Sequence, residues 1–370
     1  MSRKNFYSTL LKLKRQYLGS FPLKKTLVCF VGIIVLVFLL TFLIKPFLDV
    51  AAKILVGPRF VSSLFLKNPV DVLKSYDKRT NILILGMAGG EHEGTDLSDT
   101  MIFASINLES GDSLLISLPR DIWLDSLKAK INTAYHYGSQ EKGKEGGFAL
   151  AKDAVYQIVG RPIHYAFTID FTGFVKAIDL VDGIDVLVER SFVDEKYPIA
   201  GRELDECGGD PEYRCRYETI EFEKGLQHMD GEIALKFARS RNAEGEEGTD
   251  FARAARQQKV ILALKDKILS RQTFLSPTKM LQLKNTFADH VKTDKELSYE
   301  ELAAFSNLFL KFVREKNSLR TLTLDIGTEE SPGFLKNPPI SKYGHWVLVP
   351  RAGDWSEFQE FLKQKLESEI

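Results

Sequence analysis

The stretch Asn81-Ile82-Leu83-Ile84-Leu85-Gly86 decides the fold. It is a short apolar run without polar alternation, and it ends in a glycine-rich loop that continues to Gly94. Alternation would turn one face to water, whereas a run apolar on both faces belongs to a strand covered on both sides, as inside an α/β sheet. Residues 101–107 and 113–118 repeat the pattern, and Glu109-Ser110-Gly111-Asp112 between them predicts a hairpin of adjacent strands. Beyond them, 147–159 reads as a helix, 165–169 as a strand, 171–180 as a helix stopped at Asp182-Gly183, and 184–188 as a further strand. Strands alternating with helices around an apolar sheet predict an α/β fold, a three-layer α/β/α sandwich around a mixed central sheet.

Downstream, a helix is expected over 225–237, an acidic glycine-bearing loop over 242–248 and a second helix over 250–269. Ser298-Tyr299-Glu300-Glu301 has capping-box spacing and opens a helix running through Phe312, and a last helix is expected over 355–366. Upstream, residues 26–44 carry no charge, and a bilayer core of ~30 Å needs roughly 20 such residues. Arg3, Lys4, Lys12, Lys14, Arg15, Lys24 and Lys25 precede that run with no acidic residue among them. The expectation is a single membrane-spanning helix with its N-terminus in the cytoplasm and everything beyond about residue 45 exported. A cleaved signal peptide is the competing reading, but its apolar region is typically about 7–15 residues, and Ala51-Ala52 is the sole weak cleavage candidate.

Lys plus Arg and Asp plus Glu number 50 each, so no global charge points to nucleic acid. Of three cysteines, Cys29 lies in the apolar run, while Cys207 and Cys215 flank Gly208-Gly209-Asp210-Pro211. An exported compartment permits disulfides and a short turn allows the approach, so a Cys207–Cys215 bridge is expected. A zinc site would need further ligands, and His228 alone does not supply them.

Chemistry concentrates at four places. Asp96-Leu97-Ser98-Asp99-Thr100 precedes a strand and offers carboxylates to a hard cation such as Mg²⁺. Pro119-Arg120-Asp121 stands at a strand exit, where open α/β sheets bind ligands. Arg239-Ser240-Arg241 is the third place, and the run Asp250 to Gln258 is the fourth. On a helix, Arg253 and Gln257 share a face with Val260, Ile261, Leu264 and Ile268, so an arginine and an amide continue an apolar stripe. Such groups are either paired internally or line a cleft, and a helix start favours an anion there. Taken singly, Pro-Arg-Asp describes an ordinary surface turn and Asp99 an ordinary cap. The loop 86–94 lacks both the ending of a P-loop and dinucleotide-site spacing.

The combination is more specific than its parts. Asn81 to Gly86, Ser98-Asp99-Thr100-Met101, Ser117-Leu118-Pro119-Arg120-Asp121, Lys130-Ile131-Asn132-Thr133-Ala134-Tyr135, Ala234 to Arg241 and Asp250 to Gln258 occur in this order. The set resembles the LytR-CpsA-Psr family, whose domain is also called the cell envelope-related transcriptional attenuator domain, over about residues 79–270. The resemblance implies an extracytoplasmic phosphotransferase that moves a glycopolymer from a polyprenyl-pyrophosphate carrier to peptidoglycan or another surface acceptor. It further implies that Arg120, Arg239, Arg241, Arg253 and Gln257 contact pyrophosphate, that Asp99 is associated with a divalent metal, and that Asp121 and Asp250 support the arginines.

The chain departs from the family pattern twice. Met87 stands where the family commonly has an aspartate, and Leu97 where it has an arginine. Either Asp96, Glu91 or Glu93 supplies the missing carboxylate, with Asp96 preferred as the one nearest Asp99, or the metal is held less tightly. The expected organisation is a basic segment at 1–25, the membrane helix at 26–44, a connector at 45–78, the catalytic domain at 79–270 and an extension at 271–370 packing on that domain. A polyprenyl-pyrophosphate phosphatase and a non-catalytic sensor of lipid-linked glycan are the competing functions, while the expected side of the membrane excludes nucleic acid as partner.

Overall fold

The computed structural model describes residues 68–89, 96–202, 204–274, 276–315 and 319–368. The expected segments at 1–25 and 26–44, the connector up to residue 67, and Glu91 and Glu93 lie outside them. Among the described residues no helix is long and apolar enough to cross a membrane.

The first three strands along the chain are β1 (Arg79–Met87), β2 (Ser98–Asn107) and β3 (Ser113–Leu118). The β2–β3 turn closes because Asn107 Oδ1 accepts from the N–H groups of Glu109 (2.8 Å) and Ser110 (3.0 Å), leaving Gly111 at φ 76°. There follow α1 (Ala134–Val159), β4 (Tyr165–Asp170), α2 (Phe171–Leu180), β5 (Ile184–Val188), β6 (Phe192–Pro198), β7 (Tyr217–Phe222), β8 (Gly225–Met229) and α3 (Gly231–Arg239). The chain continues through α4 (Asp250–Leu269), α5 (Pro277–His290), β9 (Val291–Thr293), α6 (Tyr299–Glu315), β10 (Leu319–Thr323) and α7 (Ser356–Glu367).

The central sheet has the order β9-β4-β1-β2-β3-β10. Pairs β1–β4 and β3–β10 are parallel and the others antiparallel, so the sheet is mixed. One face carries Leu83, Leu85, Phe103 and Ile116, all fully buried beneath Phe148 and Val155 of α1 and Phe358 and Leu362 of α7. The opposite face carries Ile82, Ala104 and Tyr165 against Ala304 and Leu308 of α6. Helices on both faces complete the three layers. Coverage is unequal, however, since Ile84, Leu115 and Phe167 on the second face remain only partly buried. Residues 271–370 do more than pack on the domain, because β9 and β10 are the two outer strands of its sheet.

A second core, built from Ile178, Val186, Phe192, Ile220, Phe222 and Phe237, joins α2 and α3 to the pairs β5–β8 and β6–β7. Three local readings change here. The helix expected over 225–237 is divided: 225–229 pairs with β5, and the helix starts only after Asp230, whose side chain accepts from Ile233 N at 2.8 Å. That N-cap satisfies an otherwise orphaned helix donor, and Gly231 lets α3 approach α2, since a Cβ there would lie 2.4 Å from Val175 O. β5 stands apart from the central sheet, as its period-two pattern of burial, with Asp185 and Leu187 exposed, allows. α1 begins at Ala134, ahead of the expected 147, and passes a kink at Lys142–Gly143 where Gly143 takes φ 61°. Cys207 and Cys215 are joined as expected, with Cα atoms 5.5 Å apart.

Candidate active site

A cavity of about 100 Å³ is lined by Asp99 and Thr100 at the start of β2, Arg120 after β3, Phe171, and residues that follow from β6, α3 and α4. This space is smaller than the about 300–1,000 Å³ of pockets that enclose a whole ligand, so it suits a headgroup whose remainder lies outside. The expected Arg120, Arg239, Arg241, Arg253, Gln257 and Asp99 all line it, brought together from four separate parts of the chain.

Arg120 leaves β3 after Pro119, and its Nη1 donates to Asp99 Oδ1 at 2.7 Å. Its Nε lies 3.5 Å from Asp121 Oδ2. Asp121 is buried and also accepts from Lys130 Nζ, so it is held from both sides and fixes the guanidinium. Asp121 thus lies between the side chains of Arg120 and Lys130. The side chain of Asp250 lies outside the described residues; at the start of α4 the observed cap is Thr249 Oγ1, which accepts from Ala252 N at 3.1 Å.

The Arg239-Ser240-Arg241 turn is organised by a residue that sequence reasoning missed. Asp194 on β6 is fully buried, and its Oδ2 accepts from Ser240 Oγ (2.8 Å), Arg241 N (3.1 Å) and Asn242 N (3.1 Å). Its Oδ1 accepts from Lys196 N at 3.0 Å. A buried carboxylate demands such partners, and here they bend the chain so that Arg239 and Arg241 both reach the cavity. A signal existed: Phe192 and Asp194 share one face of a short strand, which places a carboxylate on an apolar side. Arg239 lies over the Phe171 ring at 4.4 Å and near that of Tyr197 at 5.7 Å, and its Nη1 donates to the Tyr197 hydroxyl at 3.4 Å. Burial raises the Tyr197 hydroxyl pKa, while Arg239 pulls it the other way. These two aromatics had no periodic signature in the sequence.

Arg253 and Gln257 lie one turn apart on α4, as the stripe predicts. Gln257 Nε2 donates to Ala238 O at 3.3 Å, and Arg253 is 6% exposed. Arg256, between them, has a different task. Its Nε donates to Phe237 O (2.9 Å), its Nη1 to Glu247 O (2.9 Å) and Oε2 (2.8 Å), and its Nη2 to Ser240 O. It ties the end of α3 to α4, with burial lowering its pKa and Glu247 opposing that shift. Gln258 Nε2 anchors α4 to the sheet through Ser117 Oγ (3.0 Å), Leu322 O (3.0 Å) and Thr323 Oγ1 (3.1 Å).

The other expected metal residue lies elsewhere. Asp96 Oδ1 is 2.7 Å from His136 Nδ1, its Oδ2 accepts from Ser139 Oγ at 3.3 Å, and it is not among the described lining residues. Met87 is the last residue of β1 and is buried. Among the described lining residues the carboxylates are Asp99 and Asp194, and the second is consumed by backbone and hydroxyl donors. This donor set fits a cation that shares one carboxylate with substrate oxygens, a usual arrangement for Mg²⁺, rather than an all-protein cage. Four arginines face these two carboxylates, leaving the cavity positive.

The family model of the LytR_cpsA_psr family matches residues 62–335. The chain is 27% identical over 228 residues to the polyisoprenyl-teichoic acid–peptidoglycan teichoic acid transferase TagU of Enterococcus faecalis, covering 60% of this chain and 63% of that protein. It is 28% identical over 265 residues to the transferase of the same description, TagV, of Bacillus subtilis, covering 70% of this chain and 59% of that protein. The match thus spans about three-fifths of the length of these relatives. The crystal structure of B. subtilis TagV superposes with a TM-score of 0.54 at 24% identity, over 80% of this chain and 100% of that one, and so shares the fold. With the family model covering most of the chain and the fold shared, this protein belongs to the LytR_cpsA_psr family.

Proposed function

We propose that the protein is a phosphotransferase that moves a glycopolymer from a polyprenyl-pyrophosphate carrier to a hydroxyl of peptidoglycan or another surface acceptor. The observation that carries this reading is the headgroup-sized cavity in which Arg120, Arg239, Arg241 and Arg253 converge on one space beside Asp99. Guanidinium groups bind phosphate oxygens bidentately, and several at once stabilise the charge that builds as a phosphorus–oxygen bond changes hands. The description of the matched relatives as teichoic acid transferases acting from a polyisoprenyl carrier supports the same chemistry. In the reaction, the acceptor oxygen bonds to the glycan-side phosphorus and the bridging phosphorus–oxygen bond breaks. Polyprenyl monophosphate leaves with the electron pair, and the hydroxyl proton passes to solvent.

Each residue has a part in this. Arg120, held by Asp121, and Arg239, stacked on Phe171, present fixed donors to the pyrophosphate. Arg253, in the first turn of α4 where the helix dipole favours an anion, and Gln257, one turn further on, add donors. A divalent cation would be held by Asp99 together with pyrophosphate oxygens, and when bound it would neutralise part of their charge. The partly covered apolar face at Ile84, Leu115 and Phe167 offers the isoprenoid a place beside α6. In this reading the uncharged run 26–44 anchors the chain in the plasma membrane with the catalytic domain outside, where the Cys207–Cys215 bridge is compatible with the redox conditions.

The test is incubation of the purified full chain with a polyprenyl-pyrophosphate oligosaccharide, Mg²⁺ and peptidoglycan fragments, followed by mass spectrometry. A phosphodiester between glycan and acceptor is expected. Lipid phosphate released without any such linkage would establish hydrolysis instead, and binding without turnover across several donors would make the protein a sensor.

A further inference from the structure

We propose that His290, in the extension beyond residue 270, is a positioning residue for Arg239 that acts through Asp170 and Phe171; the proposal rests on the pyrophosphate reading above. Arg239 is one of four arginines in the cavity, and its guanidinium lies over the Phe171 ring at 4.4 Å. Where Phe171 stands therefore decides where that donor points. His290 is not among the described lining residues, so its influence on the cavity has to pass through others.

Phe171 is the first residue of α2 and follows Asp170, the last residue of β4. The first turn of a helix has no intrahelical partner for its N–H groups, so it is fixed only as well as its cap. That cap is Asp170, whose Oδ1 accepts from Gly173 N at 2.7 Å. The carboxylate is held in turn by His290, whose Nδ1 lies 3.1 Å from it. Strand register brings the two together: Val291 of β9 pairs with Ile169 in antiparallel sense, so His290 comes opposite Asp170. Gly173 permits the approach, since a Cβ there would fall 2.3 Å from His290 Cβ. The helix so capped also holds the start of α3, because Asp179 Oδ1 accepts from Gly231 N at 2.7 Å. Thus α2 supports both the helix that carries Arg239 and the ring beneath its guanidinium.

The imidazole is suited to this task because its two nitrogens have opposite partners. Lys176 Nζ, further along α2, lies 3.0 Å from Nε2 and has only protons to give. Nε2 therefore accepts, the ring proton sits on Nδ1, and that N–H donates to Asp170. One side chain from the extension so ties the cap of α2 to its second turn. On the other side of Asp170, Gly89 has φ +70° and a Cβ there would sit 2.8 Å from Asp170 Cβ, so the strand end lies this close only as glycine.

The experiment uses the detergent-solubilised full chain, with binding of a sugar-free polyprenyl pyrophosphate followed by calorimetry and arginine-labelled protein followed by NMR. His290→Ala removes the donor, His290→Asn puts an amide N–H where Nδ1 stood, and His290→Gln carries its amide one bond too far. Ala and Gln are each expected to weaken binding about tenfold, the upper end of what ordering one long side chain is worth, and Asn to restore it. If the Ala variant does not fold, the Gln variant carries the comparison. In an Arg239→Ala background the same His290 change should cost less than about twofold, because nothing is left for it to position. An equal loss in both backgrounds would make His290 a general structural residue and refute the proposal. The ring-current shift that Phe171 imposes on the Arg239 side-chain signals, assigned by their disappearance in Arg239→Lys, should vanish in His290→Ala and persist in His290→Asn. Its persistence in His290→Ala refutes the positioning whatever the binding result. If the shift vanishes as expected but wild-type protein does not bind the pyrophosphate, the positioning stands and the functional reading is overturned.

Discussion

Replacing Asp194 with alanine tests the view that one buried carboxylate, touching no substrate, shapes the cavity. The substitution removes the acceptor for Ser240 Oγ and for the backbone N–H groups of Arg241, Asn242 and Lys196. The hydroxyl can turn to another partner, but backbone donors cannot, and each one stranded away from water costs about 1–3 kcal/mol. With the Arg241 and Asn242 donors stranded, the loss is about 2–6 kcal/mol, against a typical total of about 5–15 kcal/mol, so the fold survives in weakened form. Taking the middle of that range and about 2–3 °C per kcal/mol for a domain of this size, Tm should fall by roughly 10 °C. Arg239 and Arg241 lose their fixed chain reversal, and misplacement on the order of 1 Å costs about 10²-fold in rate. Asp194→Asn, which keeps one oxygen acceptor, should fall between the two. Calorimetric melting and product formation by mass spectrometry read both effects. A Tm within about 1 °C of wild type together with unchanged turnover in Asp194→Ala would refute the reasoning.

Arg120→Lys keeps the charge but not the planar fork set by Asp99 and Asp121, so turnover should drop about 10- to 100-fold with Tm nearly unchanged, and equal kinetics would remove Arg120 from the machinery. Burial lowers the His164 pKa to about 4, with Lys152 and Lys74 adding to the shift, while its Nδ1 accepts from Asn81 N at 2.8 Å. Because the unfolded chain takes up this proton more readily, the stability is present above about pH 6.5 and is lost as pH falls through about 4, by on the order of 2–3 kcal/mol. Urea midpoints for wild type and His164→Gln across that window should converge on the acid side; parallel curves would show that His164 does not titrate so. In unfolded, non-reduced protein, maleimide should label one of the three cysteines, and reduction should add two, whereas three labels before reduction would exclude the Cys207–Cys215 bridge.

Much of the fold and most of the candidate site were legible in one dimension. Apolar runs at 81–86, 101–107 and 113–118 became three neighbouring strands of the central sheet, the second and third paired as the hairpin reading expected, because a strand covered on both faces is apolar along most of its length and buries a polar residue such as Ser105 only with a partner, here Arg79. The arginines stood out for the complementary reason, since charge at a strand exit or on an apolar helix stripe needs a partner or a ligand. Asp230 shows where such reading stops. The apolar spacing over 225–237 suits a helix, and only pairing of 225–229 with β5 makes its first half a strand.

What the sequence by itself determined is therefore the class of fold, which follows from periodicity, and, through the ordered motifs that resemble the family, the set of arginines that line the cavity. Tertiary structure alone decided which groups meet. It brought Asp99 to Arg120 and turned Asp96 toward His136, although the two aspartates are near neighbours in the chain. It also made Asp194 the clamp of the Arg239–Arg241 turn and set Phe171 and Tyr197 beneath Arg239. The physical reason is the same in each case: a hydrogen bond or a stacked ring is satisfied by whatever lies within about 3–6 Å in space, and contacts between residues far apart in the chain have no local signature for periodicity to reveal.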